Sequence, residues 1–395
     1  MSALAGMITY GLFLIFIVFV ILKIRVRDVN KLILFVSIAF GVLAFFQRVS
    51  DMSDLSEAFG YLNGIRGVGF SYFQNKHYEI QNYYSGKIGL QVYFYLCSLL
   101  PYNNFYSAIA VFITYFCILK SVQNTADYYT IDSCTLTRLM VLTIVILDFY
   151  DISNGVRNMF AFSIFVFALS LDIFKGRRVL SAVMYLVAAS IHPSTMALIV
   201  LRYIQLVKST AVKIIVGFML VMWSNGLQGI ASLLEPFSHI KMVSVVYGKL
   251  AYYSLLQGSN ENFGTGFNTD ASYIMMRYFR IGFVIIFLIM IIMVIRRGNE
   301  KVSTFGLYLG LFSLGTLAPI LATNVFTRYS MAIFMLTPSM YCEYLAQDIS
   351  KKKVRIGRVC IDGIMFGFIV CAVLFNYYMF MYHYSSLGLT LKLYQ

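Results

Sequence analysis

The chain is 395 residues long, 60% hydrophobic and only 12% charged, with a formal net charge of +14. That balance excludes a water-soluble domain, which would have to expose large apolar patches, so the solvent it implies is lipid. The positive charge does not point to nucleic acid either, because Lys and Arg fall in short breaks between apolar runs and do not make a basic face.

A spanning helix takes about 20 mostly apolar residues. Twelve runs meet that pattern, near 4–23, 31–47, 102–121, 137–150, 155–174, 178–191, 194–207, 210–228, 273–295, 302–321, 326–346 and 359–381. The first has no basic stretch ahead of it and is followed by Lys23, Arg25 and Arg27, so it is expected to persist as a span with Met1 outside. Between the second and third runs lies a first external loop, 48–87, followed by an amphipathic stretch from Ile88 to Leu100, too short to span and suited to the interface. The pair 178–191 and 194–207 flanks Ile191-His192-Pro193, where proline breaks the helical ladder. It reads as a hairpin of short helices, with one kinked span as the alternative. A second external loop covers 229–272.

Alternating the loops across a bilayer puts 20 of the 31 Lys and Arg on one side, on shorter segments, and that side is therefore cytoplasmic. Both termini then lie outside. Six cysteines, at 97, 117, 134, 342, 360 and 371, form no CxxC pair and have no histidine at ligand spacing, so neither disulfides nor a structural metal is inferred. No appended soluble domain, repeat, nucleotide loop or DNA-binding motif appears, and 1–395 reads as one all-α polytopic membrane domain.

An ionisable side chain inside a span costs about 2.5 kcal/mol or more unless it reaches the interface or serves a function. Arg157 opens a helix at the outer side in SNGVRNMFAFSIFVFAL, and Arg328 holds the matching place in NVFTRYSMAIFML. Arg277 and Arg280 share one face at i and i+3 in YIMMRYFRIGF. Each could snorkel to lipid headgroups. Together, at helix starts whose positive dipole ends face outward, their planar forks suit a lipid-borne phosphate or pyrophosphate. Asp148 and Asp151, close before Arg157, are either its neutralising partners or acid/base groups. Asp51, Asp54, Glu57, His77 and Glu79 in the first loop are further acid/base candidates, or simply a solvated face. His192, at the outer turn of the hairpin, is a base or donor candidate, with a structural role as the alternative. Tyr61, Tyr72, Tyr78, Tyr83, Tyr84, Tyr247, Tyr252 and Tyr253 read as an aromatic belt at headgroup level or as a stacking surface for sugars.

At these residues the chain resembles the Wzy-type polymerases of O-antigen and exopolysaccharide, in particular the EpsG-like branch. The likeness rests on VRNMFAFSIFVFALSLDIFKGRR, a short turn, a small-residue helix closing in AASIHPSTMALIVL, and FTRYSMAIFML, together about half the chain. It departs from the pattern at Ser71 and at Lys87-Ile88, where such proteins carry an acid and an acid-Pro step. The resemblance implies a membrane glycosyltransferase of the GT-C class in the bacterial inner membrane. Such an enzyme transfers a growing glycan from undecaprenyl pyrophosphate to a sugar hydroxyl of another lipid-linked repeat unit. It implies no cofactor or metal, pyrophosphate binding by Arg157, Arg277, Arg280 and Arg328, and a base among His192, Glu79 and Asp151. Sugar contacts would come from Tyr72, Tyr78, Tyr83, Tyr84, Tyr252 and Tyr253. Membrane lipids and a chain-length regulator are the expected partners besides the lipid-linked oligosaccharide. A flippase for the same lipid-linked oligosaccharide is the alternative.

Overall fold

The computed structural model describes residues 11, 13–18, 20–21, 28–47, 49, 54–73, 87–209, 211–220, 233–240, 243–244, 247, 271–295, 300–317, 323–346, 363, 367 and 370. Among these residues the regular structure is entirely helical. In chain order the helices are α1 Val29–Phe45, α2 Asp54–Val68 with a 3-10 turn at Gly69–Phe73, α3 Ile88–Ser98, α4 Phe105–Tyr128, α5 Ser133–Ile146, α6 Phe149–Asn154 and α7 Val156–Ile173. They continue as α8 Arg178–Ile191, α9 Ser194–Leu206, α10 Ala211–Leu220, α11 Ala271–Ile295, α12 Glu300–Leu317 and α13 Thr323–Leu345. Every predicted run from 31–47 to 326–346 contains one of these helices. Within the first predicted loop, 54–73 is helical too. Helices α4 and α7 are long and apolar enough to cross a membrane, and several others are apolar but shorter. This build fits a helical membrane protein.

The chain gathers into two compact units, Met1–Ala197 with Phe334–Gln395, and Leu198–Ile333. In the first, α4 lies between α1 and α7, and α7 packs on its other side against α8. Helices α4 and α7 run parallel, because Thr114 meets Ser163 about midway along while Asn124 meets Ser170, and Asp127 meets Lys175, towards their C-terminal ends. The return through α5 places the short helices α2, α3 and α6 at the end where α4 and α7 begin, called here the Arg157 end.

Small residues set the helix spacing. A Cβ on Gly41 would stand 3.0 Å from the Ala108 carbonyl oxygen, so α1 closes on α4 only because that position is glycine. Between α4 and α7 runs a seam of hydroxyls and one amide. Asn124 donates to Ser170 Oγ at 3.0 Å, Ser163 to Thr114 Oγ1 at 3.4 Å, and Ser121 to the Val166 carbonyl at 3.4 Å. Small polar side chains of this kind hold helices together in lipid, where apolar contact alone gives no drive to associate.

The outward faces are oilier than the faces turned in. Helix α8 exposes Val179, Leu180, Val183, Leu186 and Val187, and buries Ser181, Tyr185, Ala188 and Ile191. Helix α3 has the same polarity, with Ile88, Val92 and Leu96 outward and Leu90, Tyr93, Phe94 and Cys97 inward. At the far end Asp132 caps α5, accepting from the N–H groups of Cys134 and Thr135 at 2.9 and 3.0 Å and from Thr135 Oγ1 at 2.6 Å. The Thr135 hydroxyl and these N–H groups hold its carboxyl below the ordinary aspartate range.

In the second unit α11 packs along α12. Phe283, Val284, Phe287 and Ile291 are buried on one helix and Phe305, Tyr308, Leu309 and Phe312 on the other. Gly315 lets α12 approach α10, where its Cβ would lie 3.1 Å from Leu220. Tyr308 donates to the Leu198 carbonyl at 3.5 Å.

Candidate functional site

The chemistry-bearing residues of the first unit collect at the Arg157 end. Arg157 occupies the first turn of α7, its side chain 8% exposed. A cation at a helix N-terminus is opposed by the helix dipole, so burial there calls for an anion. Asp54 supplies it: Arg157 Nη2 donates to Asp54 Oδ2 at 3.0 Å. Asp54 and Glu57 open α2, where the dipole favours acids, and Arg66 closes that helix. Arg66 then fastens α2 to the turn between α3 and α4, donating from Nε to the Ser98 carbonyl at 3.1 Å and from Nη2 to the Leu100 carbonyl at 2.9 Å. Its Nη1 bonds Asn103 Oδ1, and Asn103 donates to Asn63 at 3.0 Å.

Aromatic side chains line the same end. Tyr61 donates to Glu57 Oε1 at 2.6 Å. Tyr106, on the first turn of α4, stacks on Phe94 with centroids 4.7 Å apart, and its backbone carbonyl accepts the Tyr93 hydroxyl at 2.5 Å. The Tyr106 ring is 1% exposed and its hydroxyl has no hydrogen-bond partner among the described residues. It lies within electrostatic range of Arg157, Asp54 and Glu57. Tyr150 on α6 lies within range of Asp151, Asp148 and Asp54. Asn158, next to Arg157, is buried with Oδ1 unmet among the described residues. Gln47, just past α1, is buried with both amide atoms unmet in the same sense.

The residues singled out from sequence fall in three groups. Arg157 and Asp151 lie in this region, and Arg157 is ion-paired with Asp54, 103 positions upstream. Asp148 caps α6, accepting from the Tyr150 N–H at 2.9 Å. Asp151 is half-buried, and its carbonyl accepts from the Gly155 N–H at 2.8 Å. Tyr72 is buried in the 3-10 turn, with its ring so close to Gly64 that a Cβ there would lie 2.6 Å from it, so this ring is used in packing. His192 sits at the turn between α8 and α9. Its Nδ1 accepts the Ser194 N–H at 3.2 Å and lies 2.5 Å from Ser194 Oγ. A ring nitrogen that accepts a backbone N–H carries no proton, so in neutral His192 the proton is on Nε2.

The second group belongs to the second unit. Arg280 is 2% exposed on α11, and Arg328 is half-buried on α13. Arg277 is helical in backbone, while its side chain lies outside the described residues. The third group, Glu79, Tyr78, Tyr83, Tyr84, Tyr252 and Tyr253, lies outside the described residues altogether. Among the described residues no three His, Cys, Asp or Glu side chains are placed to hold a metal ion, and Cys97, Cys117, Cys134 and Cys342 are free thiols.

Sequence reasoning passed over Tyr106, Asn158, Gln47 and Arg66. Tyr106 reads as one more aromatic in PYNNFYSAIAVF, and only its burial beside charged groups sets it apart. Glu343 is another such residue. It lies on α13, 0% exposed, with neither carboxyl oxygen hydrogen-bonded among the described residues. Tyr129, whose hydroxyl is likewise unmet, lies within its field.

Comparison with known protein families, curated proteins and solved structures finds no match to this chain.

Proposed function

We propose that the chain is a polysaccharide polymerase of the bacterial inner membrane, with about twelve spans in a GT-C-like arrangement, both termini outside, and the Arg157 end at the outer face. The acceptor hydroxyl of one lipid-linked repeat unit attacks the anomeric carbon of the growing chain. A new glycosidic C–O bond forms, the bond from that carbon to the pyrophosphate oxygen breaks, and the hydroxyl proton passes to a carboxylate. Undecaprenyl pyrophosphate leaves with the bonding pair. The chemistry asks for cations where pyrophosphate charge develops and a base at the attacking hydroxyl.

The observation that carries this reading is the pairing of Arg157 with Asp54 at 3.0 Å at the head of α7. An incoming pyrophosphate competes with Asp54 for the guanidinium fork, and the exchange frees the carboxylate to accept a proton. Arg277, Arg280 and Arg328 are the further candidates for binding pyrophosphate. Asp54 joins His192, Glu79 and Asp151 as a base candidate. The substrate is a lipid-linked oligosaccharide, with a chain-length regulator as the candidate protein partner, and the assignment needs no cofactor.

The test is reconstitution. Purified protein in vesicles, offered one defined lipid-linked repeat unit, should produce a ladder on a gel, and Arg157→Ala should abolish it. In cells the same variant should leave single lipid-linked units on the outer face. Units trapped on the inner face would identify a flippase and remove the polymerase assignment.

A further inference from the structure

Buried polar atoms in folded proteins nearly always find partners, and one that does not invites an explanation by water, an ion or a ligand. At the Arg157 end two such atoms sit on the first turns of the two parallel helices: the Tyr106 hydroxyl on α4 and Asn158 Oδ1 on α7. Both residues are more than nine-tenths buried. The Tyr106 ring is fixed by its stack on Phe94 and by the Tyr93 hydroxyl bonded to its own carbonyl, so its hydroxyl is held in place without a partner among the described residues.

The chemistry of the neighbours narrows the ligand. Arg157 is the cation in range of Tyr106 and Asp54 and Glu57 are acceptors there, while Asn158 Oδ1 is a further acceptor on the first turn of α7. A phosphate brings only acceptor oxygens, which neither an amide oxygen nor a carboxylate can satisfy. A sugar hydroxyl donates and accepts at once, and a phenol can meet either half of it. We infer that Tyr106 and Asn158 form a subsite for hydroxyl groups of a sugar, adjoining the Arg157–Asp54 pair. This rests on the proposed function only for the lipid pyrophosphate that carries the sugar.

The unmet hydroxyl makes the test unusually clean. Removing a group that bonds nothing among the described residues should leave the fold alone, whereas Tyr93→Phe removes a bond that is present. Wild type, Tyr106→Phe, Asn158→Leu and Tyr93→Phe are placed in lipid nanodiscs and titrated with undecaprenyl pyrophosphate, bare or carrying N-acetylglucosamine, with melting temperature as the readout. Wild type should bind the sugar-bearing lipid about tenfold more tightly, roughly one good hydrogen bond. Tyr106→Phe and Asn158→Leu should lose that preference, and ligand-free Tyr106→Phe should melt with wild type while Tyr93→Phe melts earlier. The inference is overturned if wild type shows no preference, if Tyr106→Phe keeps it, or if ligand-free Tyr106→Phe melts as early as Tyr93→Phe. A gel ladder from wild type beside an unaltered preference in Tyr106→Phe sinks the subsite alone. Lost preference in Tyr106→Phe, with no ladder from wild type, sinks the polymerase alone.

Discussion

The two ends of the α4–α7 pair each carry an ion pair of nearly the same length, and the two differ in what surrounds them. Lys175 meets Asp127 at 2.9 Å with side chains 31% and 49% exposed, whereas Arg157 meets Asp54 at 3.0 Å with the guanidinium 8% exposed. Distance alone would rank them equal. Burial separates them, since water screens and replaces the first pair while the second has taken an arginine out of solvent and tied it to a segment far away in sequence. The far end also holds the opposite case in Glu343, buried without a hydrogen bond among the described residues. One end has matched its buried charge, and the other keeps a carboxyl group for which packing gives no account.

Substitutions can pull that contrast apart. Arg157→Ala should have the largest effect, ending polymer synthesis and costing about 2 kcal/mol in unfolding measurements, less than a fully buried pair because Asp54 is half exposed. Arg157→Lys should recover most of the stability and little of the synthesis, because an ammonium lacks the planar fork. If Lys restores both, the arginine is only an anchor of positive charge. Glu343→Leu should raise stability by about 1–2 kcal/mol, since an unmet buried polar group gives way to an apolar one of similar size. A fall in melting temperature would mean that the carboxyl group has a partner when the protein is in a bilayer. Lys175→Ala should shift stability by about 0.5 kcal/mol, and less in high salt. Asp132→Ala should do least. Its depressed carboxyl makes the cap fully effective above the ordinary aspartate range and weakens it as pH falls through the lowered value, so wild type and variant should differ at neutral pH and converge in acid. A gap that persists in acid would rule out the charged cap.

Helix positions were legible because long apolar helices announce themselves by run length, and 178–191 with 194–207 proved to be two helices, broken at Pro193 as expected. Arg157 was legible for a related reason, as a charge where apolar side chains prevail. Its partner was not. Asp54 sits in a polar stretch that looks like loop, and nothing local marks it as the anion for a residue 103 positions away. Tyr106 was hidden for the opposite reason, since a tyrosine near a helix start in a membrane-like sequence is ordinary until its burial is known. His192 was legible as unusual, but its bond to the Ser194 N–H depends on the angle the chain takes at Pro193, which composition does not encode.

The hydroxyl seam bears on how such a chain is made. Translation finishes α4 long before α7 exists, with α5 and α6 still to come. Two of the seam hydroxyls also have an acceptor in their own helix, Ser163 on the Phe160 carbonyl at 2.8 Å and Ser170 on the Phe167 carbonyl at 2.7 Å. Helix α7 can therefore form with these hydroxyls quieted locally. The bonds across the seam are added when the second helix of the pair arrives from the ribosome.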